Sequence, residues 1–159
     1  MRPGRRRRGE RGAVAGLEGV VFGILVLVTG TLLVVHAWSV LQTRRTLDGA
    51  AREYLRAYTQ ADDPTAAAAA GQRALVDVLV GERGSADDVA VEATPNPATF
   101  GPCAVAEVAL ATVVPAVRLP FVGEVGATTV AVRHTELVDA HREIASGAAY
   151  DPEATPCAD

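Results

Sequence analysis

Residues 19–43 read GVVFGILVLVTGTLLVVHAWSVLQT and contain no Asp, Glu or Arg. A helix needs about 20 apolar residues to cross the hydrocarbon layer of a bilayer, and this run supplies them. Its β-branched content would favour a strand in water. In lipid, every backbone N–H and C=O must be satisfied within the segment, so the run predicts a single membrane-spanning helix. Gly19 and Gly23 stand four apart, the spacing at which a second helix approaches closely. His36 and Trp38 lie near the far end, where amphipathic rings prefer the interface.

Toward the N-terminus, residues 1–12 read MRPGRRRRGERG and have no apolar periodicity. They predict a disordered basic leader. All fifteen basic residues of the chain are Arg; six of them face two acids through Glu18, and nine face seventeen acids beyond it. A basic tip on an acidic body argues against nucleic-acid binding by the body. Placed directly before an apolar run, the tip instead predicts a cytoplasmic N-terminus and a head on the opposite side of the membrane.

Toward the C-terminus, the helical pattern outlasts the apolar run. Leu47, Ala51, Tyr54, Leu55 and Tyr58 recur at helical spacing, and Asp48 and Arg52 stand in the acid-first i, i+4 order. Residues 13–42 are therefore expected to span the membrane and residues 43–61 to extend the same helix, with a kink allowed at Gly49. Asp63 and Pro64 suit a cap and a first turn. A second helix is expected over Ala66–Val80, with Leu75, Val76, Leu79 and Val80 as its apolar face and Gly81 as its stop. Strand patterns follow at Val89–Ala93, at Cys103–Val113 with a break at Pro115, at Val117–Val122 as a Pro-flanked edge, and at Thr128–Val138. There Val130 and Val132 share one face and Arg133 takes the other. The fold class is α+β: a long N-terminal transmembrane helix running into a small head, residues 62–159, in which a second helix packs on a 3–4-stranded antiparallel sheet.

Cys103 and Cys157 both lie beyond the apolar run. In an exported head they are expected to form one disulfide; in a cytosolic one they would be two thiols. Closing a loop of about 55 residues would stabilise by roughly 3–4 kcal/mol in the chain-entropy model.

Catalytic constellations are not found. His134, Glu136, Asp139 and His141 can be drawn as a cluster, but their spacing matches no zinc pattern. Nucleophile elbows, phosphate loops and paired-Cys motifs are missing from the sequence. The expectation is a non-enzymatic chain with no cofactor and no metal.

One short stretch carries the functional signal. Arg11-Gly12-Ala13-Val-Ala-Gly-Leu-Glu18 precedes the apolar run, and Leu47-Asp-Gly-Ala-Ala-Arg-Glu53 follows about thirty residues on. Together they resemble the TadE/TadG-like family, pilin-like proteins of tight-adherence (Flp-type) pilus assembly. The similarity covers residues 9–60 and is thinner in the head, where His134-Thr-Glu-Leu-Val-Asp139 after a Val-rich strand is similar. The resemblance implies a leader removed by a prepilin peptidase, a retained single-pass helix, an acidic residue near the new N-terminus that aids assembly, and an outward head that meets other pilin-like subunits and assembly proteins. Glu18 is the assembly carboxylate in this sequence. Cleavage after Gly12 places it sixth from the bond; cleavage after Ala13 places it fifth, the usual family position. Two alternatives stand beside this reading. Val35-His-Ala37 has small residues where signal peptidase reads, which would release a secreted head from Trp38. The chain would otherwise be a single-pass, envelope-anchored binding domain with no role in pili.

Overall fold

A computed structural model of the chain describes residues 10–93, 100–119 and 123–139. Five elements follow in order: α1 (Glu10–Thr59), α2 (Pro64–Arg83), β1 (Ala90–Ala93), β2 (Val105–Leu119) and β3 (Gly123–Leu137). The strands form one antiparallel sheet in the order β1-β2-β3. The chain divides into two units, one ending at Trp38 and one beginning at Ser39.

In the first unit, α1 carries its apolar side chains on every side, and Val20, Phe22, Leu25, Leu27, Leu33 and Trp38 are all exposed. A helix apolar all round has no single face to bury in a small head and suits lipid.

In the second unit, the rest of α1 is amphipathic. Leu47, Ala50, Ala51, Tyr54, Leu55 and Tyr58 are buried at spacings of three and four, while Arg52 and Arg56 on the other side are exposed. The helix continues through Gly49 and ends where the Gln60 N–H reaches the Arg56 carbonyl (3.2 Å). Asp63 then caps α2: its Oδ1 accepts from the Ala66 N–H at 2.9 Å, one of the donors a helix start leaves unpaired.

The buried face of α2 is Ala67, Gly71, Leu75 and Leu79, a straight i, i+4 row. Two expectations are corrected here. Val80 is exposed, and Val78 packs on the core in its place, because the row of close contact runs through position 71. Gly81 does not stop the helix. The stop is Gly84, whose φ of 81° is the left-handed geometry of a helix end, with its N–H donating to the Val80 carbonyl at 2.9 Å. At Gly71 the two helices pack closely: a Cβ there would lie 2.9 Å from Tyr54 Cε2.

β2 and β3 pair over their whole length, from Val105 opposite Leu137 to Leu119 opposite Gly123. The break expected at Pro115 does not occur, and Val117 belongs to the same strand. Proline disrupts a ladder only where its missing N–H should bond. β1 reaches no further along β2 than Ala111, so beyond that point the side of β2 away from β3 has no strand to bond among the described residues. Ala106, Val108, Leu110 and Val114 of β2 and Val130 and Val132 of β3 are buried, with α1 and α2 residues in the same core. Arg133 points away and pairs with Glu107 across the outer face (2.9 Å).

The chain before β2 turns sharply. Cys103 has a φ of 62°, uncommon for a residue with a Cβ. It is held by its N–H donating to the Val138 carbonyl (3.0 Å), while the Val138 N–H donates to the Ala104 carbonyl (2.8 Å). Of the expected Cys103–Cys157 disulfide, Cys103 is disulfide-bonded and not a free thiol, while Cys157 lies outside the described residues, as does the rest of the tail from residue 140. Among the described residues, the start of β2 and the end of β3 are tied by those backbone hydrogen bonds.

Candidate functional site

α1 is long and apolar enough to cross a membrane, and none of its apolar window is buried within the protein. Two units, one an exposed apolar helix and the other a packed head, make the arrangement of a small single-pass membrane protein. Glu18 is exposed at the boundary between the leader and this helix. Around Gly19 and Gly23 a Cβ would meet nothing within 4 Å, so both positions offer open backbone to a neighbouring helix. Gly12 and Ala13 lie inside the start of α1, and residues 1–9 of the leader lie outside the described residues.

The head keeps its polar chemistry where helix meets sheet. In the β2–β3 register, His134 stands opposite Val108 and Glu136 opposite Ala106, so both point to the core side of the sheet. α1 meets them there: His134 Nε2 lies 3.0 Å from Asp48 Oδ1, and the Thr59 hydroxyl is 3.3 Å from Glu136 Oε1. Asp48, expected beside Arg52, thus reaches across to β3. Among the described residues no group of three or more His, Cys, Asp or Glu is placed to hold a metal; His141 lies outside them.

Tyr54, Tyr58 and Phe100 form an aromatic cluster. The two tyrosine rings stack at 6.2 Å, and Phe100 meets Tyr58 edge-on at 5.3 Å. Burial pushes the Tyr58 phenol up to about 12, with the neighbouring Tyr54 adding to the shift. Burial raises Tyr54 as well. A phenol held neutral in this way supports packing and supplies no nucleophile or base at neutral pH.

Two clefts adjoin the end of the apolar run. One, of about 530 Å³, is bordered by Ser39, Thr43, Arg83, Asp88, Thr112 and Thr129. The other, of about 390 Å³, shares Ser39, Thr43 and Arg83 and adds Arg45 and Glu82. Arg83 Nη2 pairs with Asp88 Oδ2 (2.5 Å), and Glu82 accepts from the Thr46 hydroxyl (2.8 Å). Arg83 Nη1 is buried and has no hydrogen-bond partner among the described residues.

Sequence reasoning located the buried stripe of α1, but missed the His134–Asp48 contact and the clefts around Arg83. Strand alternation was a usable signal for the first, since it puts His134 in phase with Val130 and Val132. Arg83 carries no such signal, because a basic residue in the last turn of a helix is ordinary. No family model, curated protein or solved structure matches the chain.

Proposed function

We propose that the chain is a membrane-anchored, pilin-like protein that takes part in tight-adherence pilus assembly and performs no catalysis. The observation that carries this reading is Glu18, one exposed carboxylate at the mouth of an apolar helix with open backbone at Gly19 and Gly23 beside it. A carboxylate at the edge of lipid is costly alone. Paired with a positive group of an adjoining subunit, such as a free N-terminal amine, it becomes favourable and sets the register in which two helices pack. The basic leader holds the N-terminus in the cytoplasm, a prepilin peptidase removes it at Gly12 or Ala13, and the head faces outward. The resemblance over residues 9–60 supports the same reading.

Mass spectrometry of the chain extracted from membranes of its own host tests it. The expected N-terminus is Ala13 or Val14. An N-terminus at Met1 or Arg2 removes the processing step and leaves a plain anchored domain. A soluble product beginning at Trp38 replaces the proposal with a secreted head.

A further inference from the structure

Arg83 ends α2 with an unusual distribution of contacts. One arm of its guanidinium is neutralised by Asp88, while Nη1 is buried and bonded to nothing among the described residues. A buried charged donor without an acceptor is costly; the side chain is about one-fifth exposed, so a small shift of the guanidinium lets it meet an oxyanion at the cleft. Clefts of about 530 and 390 Å³ lie on its two sides and share Ser39 and Thr43, which adds hydroxyl donors to the guanidinium. Their volumes lie in the range of small-molecule sites.

Two further observations narrow the ligand. Ser39 and Thr43 belong to the last residues of the apolar run, so the residues lining the clefts include those at which the chain leaves the hydrocarbon. The clefts are also balanced in charge, with Arg83 and Arg45 set against Asp88 and Glu82. A free polyanion gains little from such a site. A zwitterionic group, carrying a phosphate for the arginine and an ammonium for the carboxylate, satisfies both.

We propose that the cleft shared by Ser39, Thr43 and Arg83 binds the headgroup of a zwitterionic phospholipid, with its phosphodiester on the solvent-reachable part of the Arg83 guanidinium and its ammonium toward Asp88. This inference rests on the membrane-spanning reading of α1 and is independent of any role in pili.

The test uses the full chain purified in detergent and titrated with phosphatidylethanolamine, phosphatidylglycerol or inorganic phosphate, with bound lipid counted by native mass spectrometry. Phosphatidylethanolamine is expected to bind several-fold better than phosphatidylglycerol. Arg83→Gln is expected to weaken it roughly tenfold through loss of a charge-assisted hydrogen bond. Since Arg83 also pairs with Asp88, Ser39→Leu provides a second variant that obstructs the cleft and keeps the ion pair; it should weaken binding comparably. Arg56→Gln, on the exposed side of α1 beside Glu53, should bind as the parent does. Thermal melting followed by circular dichroism confirms that each variant is folded. Unchanged binding in both cleft variants overturns the proposal. Equal binding of the two lipids overturns the zwitterionic assignment, and displacement by inorganic phosphate turns the site into one for free phosphate. Recovery of the chain from washed membranes is scored separately, so failure of the anchor and failure of the lipid site are distinguishable.

Discussion

Gly71 and Tyr54 define the tightest point in the head. With the ring 2.9–3.1 Å from where a Cβ would stand, and stacked on Tyr58, little room exists for relaxation. Gly71→Val is expected to destabilise by about 1–3 kcal/mol through overpacking. Gly81→Ala, also within α2 but with nothing within 4 Å, should stabilise by roughly 0.5–1 kcal/mol from helix propensity. Urea unfolding of the two variants in the same detergent reads both signs. The same aromatic cluster sets an alkaline limit. The unfolded chain ionises its tyrosines near 10.0, whereas folded Tyr58 holds its proton to about 12. Between those values the unfolded state binds fewer protons, so stability falls as pH rises; below the lower value both states are protonated and the term vanishes. Phenolate absorbance against pH is expected to show Tyr54 and Tyr58 ionising late, with the rise steepening where the head unfolds. Most of the core is aliphatic. Nothing in a 3.6-residue period says that Tyr54 and Tyr58 would be roofed by Phe100, because that contact bridges elements distant in sequence.

At the scale of elements, helix periodicity and capping chemistry were legible, and edges were not. The α1 stripe from Leu47 to Tyr58 and the Asp63 cap are local, and local physics dominates both. Asp63→Ala should cost about 1 kcal/mol, measured as a lower melting temperature of the head. Gly81 misled because a glycine near the end of an amphipathic segment resembles a stop; the real stop depends on which glycine adopts positive φ, and Gly84 does. Pro115 misled for a different reason. Its effect depends on whether a neighbouring strand needs its N–H, and the shortness of β1 is a tertiary fact. His134 is intermediate: its face followed from alternation, but its partner Asp48 lies 86 residues away and is supplied only by the packing of α1 on β3.

For the molecule as a whole, the division at Trp38 separates two kinds of stability. The head is held by its own core and by the helix–sheet contacts at Asp48–His134 and Thr59–Glu136. The apolar part of α1 has no core among the described residues and depends on its surroundings. Glu18 belongs to this first unit, so a change there should leave the head intact. Glu18→Ala is expected to keep the membrane-bound fraction and the melting of the head at parental values. Recovery of other pilin-like subunits after crosslinking in host membranes should fall on the order of tenfold, the scale of one charge-assisted contact. Glu18→Arg separates the electrostatic role from a steric one. If the carboxylate meets a positive group, reversal places like charges together and recovery falls below that of Glu18→Ala; if it merely marks the helix end, the two variants behave alike. Should both variants recover subunits as the parent does, the assembly role is lost and an anchored domain remains. The lipid cleft at Arg83 is untouched in all three proteins and should bind equally in each, which ties any loss of assembly to Glu18 rather than to the way the head meets the membrane.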